Sequence, residues 1–165
     1  MSCEIDISVE APGWAALPGV EACVEAAIHA ALKHIGPPST QASEISVLLC
    51  DDAAITALNT TWRGIAKATN VLSFPAGHAT PEFRMYGDIA VAYETARREA
   101  DDEGKTIEAH LSHLVVHGFL HLCGHDHKTV ADAERMEEAE RRILASLAIA
   151  DPYAGTDAVE KGQTP

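Results

Sequence analysis

Strict alternation of apolar and polar side chains marks the first segment of the chain. Across Glu4–Glu10, isoleucine and valine alternate with acidic residues and serine, which is the pattern of a strand with one buried face. Three later apolar runs have the length and composition of strands: Glu44–Cys50, Asn70–Pro75 and Gly87–Ala92. Residues 76–84 are rich in Gly, Pro, His and Thr, and they predict an exposed loop.

Helical spacing of apolar residues accounts for most of the remaining chain. It predicts helices over residues 20–35, 53–62, 93–103, 107–122 and 128–148. Asp51 or Asp52 can cap the second of these helices, and Thr106 can cap the fourth. About four strands, mostly early, and about five helices, mostly late, predict an α+β fold with a small mixed sheet.

The length of 165 residues predicts one domain, which we place at residues 1–150. Residues 151–165 are polar and lack periodicity, so they predict a disordered tail. No apolar run is long enough to span a membrane, and the N-terminus lacks the basic and apolar segments of a secretory signal. Four widely separated cysteines without a CxxC motif fit reduced thiols. These features predict a cytoplasmic protein.

A formal net charge of −13 argues against a general polyanion-binding protein, which would carry a basic stripe. Any contact with nucleic acid must then depend on a local basic cluster together with a metal. The acidic charge also suggests that a protein partner delivers such a ligand.

The segment from His117 to His127, HGFLHLCGHDH, carries the strongest chemical signal. His117 and His121 are four residues apart and therefore share one face of a helix, as in the zinc helix of metalloproteases. Gly124 permits the chain to reverse and bring His127 to the same point. Three histidines leave the fourth position of a tetrahedral zinc open, which favours a catalytic site over a structural one. Nickel and copper also suit such ligands.

Several residues near the three histidines are candidates for a role in the site. His125 competes with His127 as the third ligand, although the Gly-x2-His spacing favours His127. His113 lies one turn before His117, where we expect a buried or supporting histidine, and Cys123 points away from the metal by its helical angle. Asp126 can either orient a ligand imidazole or cap the loop.

Three ordered motifs in this chain resemble the YbeY family of endoribonucleases and rRNA maturation factors. They are LNTTWRGIAKATNVLSFP, YGDIAVA and HLVVHGFLHLCGHDH. The sequence departs from the family pattern at Ala68 and Asn70, where the family usually has Pro and Asp, and at His125, where it usually has Tyr.

The resemblance implies a zinc-dependent endoribonuclease that is specific for single strands and serves rRNA maturation and ribosome quality control. It implies one Zn2+ held by His117, His121 and His127, and it makes Arg63 the active-site arginine. A guanidinium can grip a phosphate bidentately, and Lys67 and Arg84 are candidates for a surrounding basic rim. The implied partners are single-stranded RNA, especially rRNA, and the ribosome or a ribosomal protein.

The sequence also permits rival functions. The histidine spacing fits a metzincin-like metallopeptidase, but Gly118 occupies the position of the glutamate base in those enzymes. A ribosome-assembly factor stabilised by zinc, without catalysis, is a second rival, and a non-specific metal-dependent hydrolase is a third. For a nuclease the general base is open between water activated by the metal, the 2′-hydroxyl of the RNA and a carboxylate such as Asp88.

Overall fold

The computed structural model describes residues 2–154 and is centred on a four-stranded sheet. Its strands are β1 (Cys3–Val9), β2 (Ala42–Cys50), β3 (Val71–Ala79) and β4 (Phe83–Ala92). Their order across the sheet is β1-β2-β4-β3, with β1 and β4 parallel to β2 and with β3 antiparallel to β4. The predicted α+β fold with a mixed sheet is confirmed, and β3 forms one edge of that sheet.

Six helices accompany the sheet within residues 2–154. They are α1 (Pro12–Ala15), α2 (Val20–Ile35), α3 (Asp52–Arg63), α4 (Tyr93–Glu103), α5 (Ile107–Leu122) and α6 (Val130–Ser146). The helix beyond the five that we predicted is α1, a single turn that is too short to produce a periodic pattern. None of the described helices is both long and apolar enough to cross a bilayer.

The helices cover the two faces of the sheet unequally. The larger core packs α2, α5 and α6 against strand residues such as Val47, Ile89 and Val91. On the opposite face, α3 packs Ile55 against alternate strand residues such as Leu72. Successive strand residues point to opposite faces, so each residue of β3 is assigned either to the α5 side or to the α3 side.

The prediction that residues 76–84 form a loop is wrong, although residues 76–82 are exposed as predicted. Strand β3 continues to Ala79, β4 begins at Phe83, and Thr80 closes the connecting turn by accepting a hydrogen bond from the amide of Phe83 at 3.0 Å. The outer half of β3 is exposed, so its side chains show no apolar alternation. A register shift between Pro75 and His78 accommodates the proline, which an edge strand tolerates because its outer amides need no partner.

The described chain extends past the start of the predicted tail. Arg141 forms an ion pair with Asp151 at 3.3 Å, and the hydroxyl of Tyr153 donates a hydrogen bond to Glu140 at 2.8 Å. Residues 151–154 thus contact α6, whereas the rest of the predicted tail, residues 155–165, lies outside the described residues.

The start of β3 is fixed by the side chain of Asn70, which is buried. Its amide donates to Glu99 at 3.1 Å, and its carbonyl accepts from the backbone of Val71 at 2.7 Å. An aspartate at this position could not donate to Glu99 when it is ionised. Burial alone raises the pKa of Glu99, but hydrogen bonds from His110 and Asn70 outweigh burial and lower it.

Replacing Asn70 with Ala is expected to destabilise the fold by about 1–3 kcal/mol at neutral pH, because Glu99 loses a donor and the Val71 amide loses its acceptor. A lowered carboxyl pKa contributes stability above the unfolded value, and that stability is lost as the pH falls. The difference in the free energy of unfolding between native protein and variant should therefore become smaller below about pH 4. Urea unfolding at neutral pH and below about pH 4 measures this difference, with Thr69→Ala as the control. A difference in the free energy of unfolding that is larger in acid would contradict the prediction.

Candidate metal centre

Helix α5 delivers two histidines to the candidate site. The side chain of Thr106 caps the helix by accepting a hydrogen bond from the amide of Ala109 at 3.1 Å, as predicted. The helix then runs through the core, and nearly all its later residues are buried. His117 and His121 therefore project from a rigid element, with ring centroids 4.6 Å apart.

The turn that follows α5 returns a third histidine to the same place. Gly124 has a φ of +98°, a backbone conformation that favours glycine. The amide of Gly124 donates to the carbonyl of His121 at 3.0 Å, and the amide of His125 donates to that of Leu120 at 3.0 Å. This closed turn brings the ring of His127 to 5.2 Å from that of His121, between centroids.

Ligand nitrogens of His117, His121 and His127 all lie within 4.8 Å of one another, and this group can hold a metal ion. The Nε2 atoms of His117 and His121 are 3.1 Å apart. Two nitrogens bound to one tetrahedral zinc would lie about 3.3 Å apart, given Zn–N bonds of about 2.0–2.1 Å. The observed spacing is therefore close to what zinc requires.

Hydrogen bonds at Nδ1 set the orientation of both helical histidines. The Nδ1–H of His121 donates to the carbonyl of His125 at 3.0 Å, because a carbonyl can only accept. The Nδ1 of His117 lies 3.3 Å from a carboxylate oxygen of Glu140. With the proton on Nδ1, each ring presents the lone pair of Nε2 toward the other histidines, as a metal ligand must.

Two further observations fit a metal ion. The Nε2 of His127 is buried and makes no hydrogen bond within the described residues, which is unfavourable for a polar atom without a ligand. Burial, together with the nearby His117 and His127, lowers the pKa of His121 to about 4. His121 is consequently neutral at pH 7, and a metal binds the neutral imidazole.

Glu140 belongs to the candidate site because its carboxylate contacts His117, and the sequence patterns did not reveal it. Its side chain is 1% exposed and it also contacts His113, whose Nε2 is 2.6 Å away. Burial alone raises the pKa of Glu140, but the hydrogen bonds with His113 and His117 outweigh burial and hold it well below the usual range. The ionised carboxylate can only accept, so both imidazoles donate to it.

A match to a family model described as Endoribonuclease YbeY covers residues 15–148 of this chain. The chain belongs to the YbeY family. Similar relatives named Endoribonuclease YbeY come from Rhodopseudomonas palustris strain BisA53 and Nitrobacter winogradskyi. They are 51% and 54% identical to this YbeY-family chain, over 94% and 90% of its length and 93% and 81% of theirs. The resemblance seen in the motifs is confirmed.

A solved structure also resembles this YbeY-family fold. The solution structure of TM1509 from Thermotoga maritima is 26% identical, with a TM-score of 0.56. The similarity covers 93% of this chain and 97% of that chain.

In this YbeY-family chain, Gly118 lies against the sheet. A Cβ built there would be 3.0 Å from the hydroxyl of Ser73 and 3.1 Å from a methyl group of Ile89. The Ser73 hydroxyl also donates to the Gly118 carbonyl at 3.0 Å. A glutamate would have to displace these groups, and its side chain would start toward the sheet and away from the histidines. The position of the peptidase base is thus closed by packing.

The remaining residues near the histidines take supporting places. His125 is outside the group of nitrogens that converge, and its backbone carbonyl is what contacts His121. Asp126 accepts from the amide of Lys128 at 3.2 Å, which corresponds to the loop-capping role. His113 is buried against Glu140, as a supporting histidine would be, and Cys123 packs on the edge of the core.

The cationic candidates lie on different sides of the sheet. Arg63 is the last residue of α3 and is exposed. Lys67 follows in the exposed loop on the same side, whereas the guanidinium of Arg84 lies 4.5 Å from the ring of Tyr86, which belongs to the α5 side. Asp88 is opposite Phe74 in the strand register, so it points toward the α3 side.

Proposed function

We propose that this protein is a zinc-dependent endoribonuclease that cleaves single-stranded RNA in the cytoplasm and acts in rRNA maturation and ribosome quality control. The observation that carries this proposal is the cluster of His117, His121 and His127, whose nitrogens lie within 4.8 Å of one another, within a chain of the YbeY family. The spacing of the His117 and His121 Nε2 atoms also suits zinc. Three protein ligands leave one coordination position open to a substrate.

A bound zinc ion supplies Lewis-acid chemistry at a phosphoryl oxygen. The protein's contribution is to hold the three imidazoles rigidly, through Glu140 and the carbonyl of His125. Arg63 holds the scissile phosphate and offsets the charge that develops during cleavage. The exposed Arg63 forms no ion pair within residues 2–154. Its guanidinium can therefore bind a phosphate without first breaking an ion pair with a carboxylate.

Arg63 and the histidines are associated with opposite faces of the sheet, but the residue before Arg63, Trp62, contacts β3 at Phe74, and α5 contacts β3 at Ser73. This strand is an edge strand, so groups on its two faces can meet around its free side. Asp88 lies in β4 next to β3 and is exposed, and its side chain is directed to the α3 face, which is the face of Arg63. Its role as the general base stays a prediction.

The acidic surface supports a partner in RNA delivery. The chain carries 25 acidic and 12 basic residues, so its overall field repels RNA. A ribosome or a ribosomal protein that presents the RNA would overcome this repulsion, and the intrinsic affinity for free RNA should be modest.

Removal of zinc by a chelator is expected to abolish cleavage of single-stranded RNA, and reloading with zinc is expected to restore it. The measurement is the cleavage rate of one RNA as a single strand and as a duplex, with a peptide substrate beside them. Duplex RNA and peptide should remain intact. Cleaved peptide would instead favour the peptidase. If the zinc-loaded protein leaves the RNA intact, and removal of the zinc lowers the melting temperature of the protein, the result would favour a structural zinc.

A further inference from the structure

The indole of Trp62 is exposed in an unusual way. It is 69% exposed, and Ile65, three residues later, is 48% exposed. Among the described residues only Val130 is a comparably exposed large apolar side chain. Adjoining exposed apolar groups at a helix end indicate a contact surface, because such groups otherwise favour burial.

The indole is held in place by its surroundings. The ring centroid of Trp62 lies 6.4 Å from that of Phe74, with an interplanar angle of 59°. The loop after α3 is tied back to the helix by the buried Asn59, whose amide donates to the carbonyl of Lys67 at 2.9 Å. Trp62 is therefore prepositioned, which reduces the conformational entropy lost on binding.

The charge around Trp62 is the reverse of the charge of the whole protein. No acidic residue occurs between Ala53 and Pro81, although the chain has 25 of them. Arg63 and Lys67 are both exposed, and neither forms an ion pair within residues 2–154. The strand register places Asp88 on this side as well, and Glu4, Asp6 and Glu44 lie on the same face in β1 and β2, farther from β3. Within the segment that carries Trp62, Arg63 and Lys67 are the charged residues.

This surface adjoins the candidate metal centre across β3. Phe74, which contacts Trp62, and Ser73, which contacts Gly118 of α5, are consecutive residues of the edge strand. Gly118 directly follows His117. The aromatic surface and the histidine cluster thus flank the same part of β3 from its two sides.

We propose that Trp62, backed by Phe74, is a stacking platform for an unpaired base of RNA, and that Arg63 and Lys67 hold the adjoining phosphates. This inference rests on the proposed function, because it assigns the binding of the same substrate. Exposed aromatic rings flanked by cations bind single strands without regard to sequence, since every base has a π-face. Bases within a duplex already stack on each other, so the platform selects single-stranded RNA.

The test is the binding of a single-stranded oligouridylate whose 2′-hydroxyls are methylated, so that it stays intact with the zinc-loaded protein. The chain has two tryptophans, and Trp14 is fully buried, so fluorescence quenching on binding reports on Trp62. Trp62→Ala is expected to weaken binding about 10–100-fold, and Trp62→Phe should retain most of the affinity. Val130→Ala, which truncates the other exposed apolar side chain, should bind as the native protein does.

An abasic oligonucleotide with the same number of phosphates separates stacking from charge. It should bind weakly and leave the Trp62 fluorescence unquenched. Three results would each overturn the platform. Trp62→Ala could bind as tightly as the native protein, the abasic strand could quench the fluorescence as much as the oligouridylate does, or the oligouridylate could fail to bind. If Trp62→Ala cleaves unmodified RNA at the native rate, the platform is overturned but the endoribonuclease activity is not. Binding that depends on Trp62 without any cleavage would support the platform and contradict the endoribonuclease activity.

Discussion

Replacing His121 with Ala should abolish both metal binding and RNA cleavage, whereas replacing Arg63 with Ala should strongly slow cleavage and leave the metal bound. His121 contributes one of the three proposed ligand nitrogens, and two histidines alone hold zinc weakly. Arg63 is proposed to act on the phosphate, and loss of one such group lowers turnover about 100- to 1000-fold. Metal content and cleavage rate, measured on the same preparations, check the prediction.

The chain provides matched controls for both variants. His125→Ala removes the remaining histidine of the loop but keeps the backbone carbonyl that orients His121, so the metal should stay bound. Arg142→Ala removes an arginine that pairs on the surface with Glu138 on α6, and cleavage should persist. If His125→Ala loses the metal while His127→Ala retains it, the ligand set is wrong. If His121→Ala and Arg63→Ala both cleave at the native rate, the activity belongs to a contaminating nuclease.

The sequence predicted the helix of the site well because the determinants there are local. The spacing of His117 and His121, the cap at Thr106 and the glycine at 124 all act within a few residues of one another. The hairpin of β3 and β4 depends instead on backbone pairing between exposed segments. Exposed edge residues carry no apolar alternation, so the pattern at residues 76–84 could not reveal the strand.

Glu140 leaves a signal in the sequence through its position on α6. It follows Met136 by four residues and precedes Ile143 by three, so it lies on the apolar stripe of that helix. A carboxylate on such a stripe must find a partner when it is buried. The identity of that partner depends on how α5 and α6 pack, which a helical pattern does not contain. The sequence pattern also could not predict the contact of Tyr153 with Glu140, because a polar tail has no periodicity.

Replacing Glu140 with Gln should lower the affinity for zinc about 10–100-fold, because the carboxylate fixes the ring and the tautomer of His117. Glutamine offers one carbonyl oxygen and one NH2 group where His113 and His117 each need an acceptor. One imidazole then faces a donor and turns away or changes tautomer. Competition for zinc with a chelator measures the effect. Tyr153→Phe removes only a donor to the same carboxylate, so its effect should be smaller.

Replacing Glu140 with Ala adds a loss of stability to the loss of zinc. Two buried imidazole N–H groups lose their acceptor, at about 1–3 kcal/mol for each. Urea unfolding of the zinc-free protein isolates this term from metal binding, and Glu138→Gln on the exposed side of α6 is the control. A Glu140→Gln protein that binds zinc as tightly as the native one would show that His117 is oriented without the carboxylate. If Glu140→Gln instead binds zinc more weakly while its free energy of unfolding stays close to the native value, Glu140 acts on the metal centre and not merely on the core.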